Sequence, residues 1–304
     1  MGSGSWERSS FVNYSKISKS GVTLDSLGTI TNKYSEQEVF KQRNLHASLN
    51  PKNVMRECCD TEEHPNTIPV ILALDVTGSM GSASLEVAKK LNPIMENLYK
   101  KVKDIEFCVM GIGDMRYDSC PVQISQFESD IRIAENVDNI YHEHGGGGNN
   151  FESYSFAWYM GLRHTNLDCW NRGKKGIIIT LGDEPLNPYI PRIGNYTSIK
   201  DYIGDDVQGD IETEDLYKEA SKKFDIYHIH VNHDRWANSQ EDTIRSTFSK
   251  VIGENNFKVA TLETLPDVIV DIIVNTGNNN NMETTINSNP INTDNKKSEG
   301  IAWA

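Results

Sequence analysis

Apolar residues in this chain fall into short unbroken runs, and between the runs they recur every three or four positions. Residues 68–74 (IPVILAL) form one such run, of strand length and apolar throughout, as in a central strand covered on both faces. Residues 84–103 then place Val87, Leu91, Ile94, Met95, Leu98 and Val102 at helical spacing, with Pro93 predicting a local kink. Further strands are predicted at Ile105–Ile112, 121–126, 175–181 (KGIIITL), 225–231 and Phe257–Thr261. Helices are predicted at 131–141, 152–164, 214–224 and 265–274. This alternation implies right-handed crossovers and therefore an α/β fold, a doubly wound, mainly parallel sheet flanked by helices. Ligands of such sheets bind beyond the carboxyl ends of the strands, where the winding reverses.

The flanks read differently. Residues 1–66 hold no long periodic segment, only a short helix candidate at 35–43 and a turn at Pro51, and are expected to form an arm lying on the domain. Residues 67–275 carry the alternating pattern. From 276 to 304 Asn, Thr and Ser dominate; too little apolar surface is present to offset ordering entropy, which predicts a flexible tail.

Composition narrows the function. The 304 residues are 37% hydrophobic, enough for one large domain with appendages. A net charge of −13, from 30 basic and 43 acidic side chains, argues against a nucleic-acid partner, which needs clustered Lys and Arg. It suits cation binding. No run approaches the ~18–20 apolar residues of a membrane span, so no membrane partner is expected. Residues 1–20 lack the apolar core of a secretory signal. Cys58, Cys59, Cys108, Cys120 and Cys169 show no metal-binding spacing and are expected to be reduced thiols in an intracellular setting.

The sharpest local feature is Asp75-Val76-Thr77-Gly78-Ser79, directly after the first strand. It puts one carboxylate and two hydroxyls in a tight loop, a donor set for a hard cation such as Mg²⁺, which takes oxygen ligands and few carboxylates. Asp75-x-Thr77-x-Ser79 resembles the DxSxS motif of von Willebrand factor A (integrin I-like) domains, with Thr in place of the first Ser. Two further loops fit in order: Gly145 to Asn150 followed by Phe151-Glu152-Ser153, and Leu181-Gly182-Asp183-Glu184 after a buried strand. The wording of the loops is closest to an intracellular bacterial and phage subgroup, and the resemblance covers roughly residues 68–274. No Thr follows the glycines of the second loop, so an amide oxygen of Asn149 or Asn150 takes its place, with Asn149 slightly preferred.

What the resemblance implies is a metal-ion-dependent adhesion site. Thr77, Ser79 and Asn149 or Asn150 would touch the ion, while Asp75 and Asp183 would act mainly through waters. Met80, His144, Gly148 and Glu184 would form the rim met by a partner. The ion would be Mg²⁺, or Mn²⁺ or Ca²⁺, and the partner a protein presenting Asp or Glu, in several related systems beside an AAA+ ATPase. The setting would be cytoplasmic or phage-associated.

Other readings compete. No GxSxG, HExxH or phosphate-loop Lys is present, which disfavours catalysis and nucleotide binding. A metal-dependent hydrolase would have to draw its base from Glu152, Glu184 or His144. In a structural assembly protein the two flanks, not these loops, would make the contacts. His228, His230 and His233 offer a weaker zinc alternative, with packed histidines preferred. His142 and His144 are expected to be exposed loop residues.

Overall fold

The structure, a computed structural model, describes residues 4–143, 149 and 151–286, the last nine by their backbone alone. In chain order the helices are α1 (Arg8–Ser18), α2 (Glu36–Val39), α3 (Gly81–Lys101), α4 (Arg132–Asp138), α5 (Ser155–Arg163), α6 (Ile199–Tyr202), α7 (Thr213–Ala220), α8 (Arg235–Ile252) and α9 (Leu265–Ile286). The strands are β1 (Arg56–Cys58), β2 (Ile68–Asp75), β3 (Ile105–Ile112), β4 (Val122–Ile124), β5 (Thr165–Leu167), β6 (Gly176–Gly182), β7 (Tyr189–Ile190), β8 (Ile211–Glu212), β9 (Phe224–Asn232) and β10 (Phe257–Thr261).

Six strands form the main sheet in the order β10-β9-β6-β2-β3-β4, parallel except for the antiparallel edge pair β3–β4. The chain winds outward from β2 through β3 to β4, then returns to build β6, β9 and β10 on the other side. The winding therefore reverses beside β2, and the carboxyl ends of β2 and β6 flank the crevice. This is the doubly wound α/β architecture that the apolar runs predict.

Strand alternation sends side chains to two apolar layers. Val70, Leu72 and Leu74 of β2, with Ile177, Ile179 and Leu181 of β6, share one core with residues of α3, α4 and α9. Ile71 and Ala73, with Ile178, pack on the other face with residues of α5, α7 and α8. Covering on both faces is why these strands read as unbroken apolar runs.

Residues 1–66 are stitched onto the first layer. Phe11, Ile30, Val39, Phe40 and Leu49 are buried in the same core as α3. Pro93 lies inside α3, and its missing N–H leaves the carbonyl of Lys89 without its helical donor. Ile30 N–H donates to that carbonyl at 3.0 Å. The neighbouring Asn92 accepts from Trp6 Nε1 at 3.0 Å and donates to Leu27 O at 2.8 Å. At the start of α3, a Cβ on Gly81 would lie 1.9 Å from Glu36 Oε2, so a larger residue there would make the Glu36 carboxylate of α2 swing aside.

Several boundaries differ from the sequence reading. α1 and α8 are absent from the predicted elements, because each buries few apolar residues: Phe11 alone in α1, and Ala237, Ile244, Phe248 and Ile252 in α8. The helix expected at 35–43 is confined to Glu36–Val39. The final helix, expected to stop at residue 274, continues to Ile286 through the Asn-rich stretch. Residues 287–304 of the expected tail lie outside the described residues. The five cysteines are free thiols. No described helix is long and apolar enough to cross a membrane.

One charged residue interrupts β3. Glu106 is 1% exposed, and burial pushes its carboxyl up to about 7. The folded state thus holds a proton that the unfolded chain releases earlier, and stability falls as pH rises from about 4.5 to about 7. Glu106→Gln is expected to leave stability unchanged at pH ~4 and to raise it by about 1–2 kcal/mol at pH ~8. Denaturant unfolding at both pH values checks this; an equal gain at both would mean that ionisation is not the cause.

Candidate functional site

The three loops singled out in the sequence meet at the crevice. Asp75 ends β2, and Gly78–Met80 then makes one 3₁₀ turn that leads straight into α3. Glu143 N–H, just before the glycine run, donates to Val76 O at 3.1 Å, which ties the second loop to the first. Past the run, Glu152 N–H donates to Pro185 O at 3.1 Å and Asn187 N–H to Glu152 O at 3.2 Å, which tie it to the third. Ser79 Oγ closes the set by donating to Asp183 Oδ1 at 3.0 Å.

Two hydroxyls stand in front of two buried acids. Thr77 donates through its N–H at 2.9 Å and its Oγ1 at 2.5 Å to Asp75 Oδ1. The other Asp75 oxygen accepts from Tyr154 OH at 2.7 Å, and Asp183 Oδ2 is bonded to His233 Nε2 at 2.9 Å. Asp75 and Asp183 are both fully buried, whereas Ser79 is exposed. Each hydroxyl commits its hydrogen to a carboxylate, so its lone pairs are left for another electrophile.

Negative charge is concentrated here with little to balance it. Burial and then the Asp183 charge raise the Asp75 carboxyl to about 7. Burial, then Asp183 and Asp75, raise Glu184 to about 8. Glu152 is pushed well above the carboxylate range by burial and then by Asp75. His233 is raised in turn, chiefly by its hydrogen bond to Asp183. Glu152 Oε2 and Glu184 Oε2 are buried without a hydrogen-bond partner among the described residues. Among the described residues no three His, Cys, Asp or Glu side chains gather into a ligand cage. The donor set here is instead neutral hydroxyls backed by acids, which fits a hard cation that keeps part of its water.

Gly182 makes the arrangement possible. A Cβ there would lie 1.9 Å from the Tyr154 hydroxyl that holds Asp75. Gly182→Ala is therefore expected to displace Tyr154 and cost about 1–3 kcal/mol of stability. Thermal unfolding reads this directly, and an unchanged transition would mean that Tyr154 moves aside freely.

The remaining expectations divide. Asn149 lies beside Asp114 rather than in the hydroxyl pair: its Oδ1 accepts from Phe151 N at 3.3 Å, and its side chain hydrogen-bonds Asp114. His144, Gly148 and Asn150 lie outside the described residues. Met80, expected on the rim, is 1% exposed; the 3₁₀ turn points it into the core shared with α3. Glu184 is half-buried at the site. His142, expected in solvent, is buried with its ring 4.1 Å from that of Phe40, because the N-terminal arm covers it. His228 stacks on Phe248 at 3.6 Å and bonds Thr180, and His230 bonds Ala237 O, so the three histidines form no cage. Tyr154 and His233 are members of the site that the loop motifs do not mark.

The doubly wound sheet and the rim of three loops define an α/β fold with a mainly parallel six-stranded sheet and a crevice at the carboxyl ends of β2 and β6. No known family profile matches the chain, and no curated protein matches it. Among solved structures, the pilus adhesin SpaC of Lactobacillus rhamnosus GG in its open conformation is similar at 12% identity and a TM-score of 0.45. That match covers 75% of this chain and 33% of SpaC, so the chain spans about a third of that protein's length. The vWF domain of the type V pili tip protein Mfa5 of Porphyromonas gingivalis is similar at 13% identity and a TM-score of 0.43, over 70% of this chain and 95% of that one. Proximal thread matrix protein 1 of the mussel byssus is similar at 9% identity and a TM-score of 0.44, over 71% and 48%.

Proposed function

We propose that this chain is a non-catalytic protein-binding module that holds one divalent cation, of the Mg²⁺, Mn²⁺ or Ca²⁺ class, at Thr77 and Ser79. The observation that carries the reading is the paired donation of Thr77 Oγ1 to Asp75 and Ser79 Oγ to Asp183, which sets two neutral hydroxyl oxygens against two buried carboxyl groups. An ion bound there would supply an electropositive centre with an open position for a partner's Asp or Glu carboxylate. Asp75 and Asp183 set the field from behind, and Tyr154 and His233 fix their orientation.

Mn²⁺ titration of the full chain by calorimetry tests the first half of this. One ion per chain is expected, together with a rise in thermal stability that EDTA reverses. Absence of both heat and stabilisation would overturn the reading. A screen of phosphoester and peptide substrates is expected to show no turnover; turnover lost on Glu184→Gln would favour a hydrolase, since Glu184 is the candidate base raised to about 8.

A further inference from the structure

We infer that a cavity beside this site receives a lysine or arginine side chain from the same partner segment that presents the acid. The inference rests on the proposed cation-dependent capture and adds a second specificity element to it. The cavity measures about 440 Å³. Its apolar wall is made by Phe151, Leu186, Pro188 and Val251, and Phe151 is 38% exposed. Phe151 belongs to the second loop, while Leu186 and Pro188 follow Asp183 by three and five positions. The same two segments thus build the hydroxyl site and the cavity wall. Thr247 Oγ1 accepts from Leu186 N at 3.1 Å and Thr213 Oγ1 donates to Asn187 O at 2.8 Å, so the wall is held from α8 and α7.

The rim of the cavity is acidic. Glu212, Glu214 and Asp215 line it against a single Lys250. Glu214 pairs with Lys250 and Asp215 with Lys218, both at 2.7 Å, and all four side chains are more than half exposed. Exposed pairs of this kind are weak and exchange readily for a new partner. Glu212 is exposed and has no ion pair among the described residues. An apolar floor below an acidic rim matches a side chain with an aliphatic stem and a cationic head. A second acidic side chain would meet like charge, and a purely apolar one would leave the rim unmatched.

A random heptapeptide display library, selected on the immobilised full chain in Mg²⁺, tests this. The expected peptides contain Asp or Glu and are enriched in Lys or Arg. In the Glu212→Gln/Asp215→Asn variant the acid preference is retained and the basic enrichment falls about tenfold, equivalent to about 1.4 kcal/mol. Removing two charges elsewhere, with Glu62→Gln/Glu263→Gln, is expected to leave the enrichment in place. Acid-bearing peptides with no basic preference, or an equal loss in both variants, would overturn the inference and leave the capture reading standing. Loss of the acid preference itself in Mg²⁺ would overturn the capture reading, and the inference with it.

Discussion

Ser79→Ala is expected to weaken Mn²⁺ or Mg²⁺ binding by about 10- to 100-fold, while the chelated protein melts as the wild type does. Ser79 is exposed and, among the described residues, its hydroxyl bonds only Asp183, so its removal leaves the core untouched. Asp183→Asn is the companion variant. It keeps the shape of the side chain but removes the charge that accepts from both Ser79 and His233, and a similar loss of metal affinity is expected. It should also abolish the raised ionisation of His233, whose largest cause is the bond to Asp183. Proton NMR titration of the imidazole reads that second effect independently of any metal. Undiminished metal affinity in Ser79→Ala would take the hydroxyl out of the coordination role.

Removing residues 1–50 is expected to abolish cooperative folding. Phe11, Ile30, Val39, Phe40 and Leu49 all belong to the core shared with α3. Burying such side chains contributes about 1.5–3 kcal/mol each, a sum comparable with the ~5–15 kcal/mol of a whole domain. The truncated chain would also expose the facing side of α3 and free the Lys89 carbonyl. Circular dichroism and calorimetry of the truncated protein check this. A sharp transition near the wild-type temperature would show that the arm is an accessory layer. The experiment also separates roles: if the arm's main task were assembly with other molecules, its loss would leave the monomer stable.

How much of this was legible follows from how each element is buried. β2, β3 and β6 are covered on both faces and announce themselves as apolar runs. β9 is harder, since polar His228 and His230 occupy core positions that stacking on Phe248 and Phe257 makes acceptable. α8 buries only four apolar residues over 18 and leaves a thin stripe; its clearest signal is the cap, where Asp234 accepts from Ala237 N. Within the site, Asp75, Thr77, Ser79 and Asp183 stand in short loops where carboxylates and hydroxyls need a reason, so the sequence exposes them. Tyr154 and His233 come from the start of a buried helix and the end of a strand, where an aromatic or imidazole ring has ordinary packing roles. Only the backbone path that brings them behind Asp75 and Asp183 gives them another. Met80 shows the converse, a motif residue whose neighbours face the rim while its own turn points it inward.

The proline in α3 has a consequence for the order of events during synthesis. Bonds that pin the arm to the domain reach far downstream: Trp6 reaches Asn92, 86 residues on, and Tyr14 reaches Asp138, 124 residues on. The arm is made before the elements that hold it and finds its place after them, so its aromatic side chains wait in solvent until α3 and α4 have been made. Chaperone occupancy on stalled nascent chains should accordingly persist past residue 93 and decline only after about residue 140 has emerged.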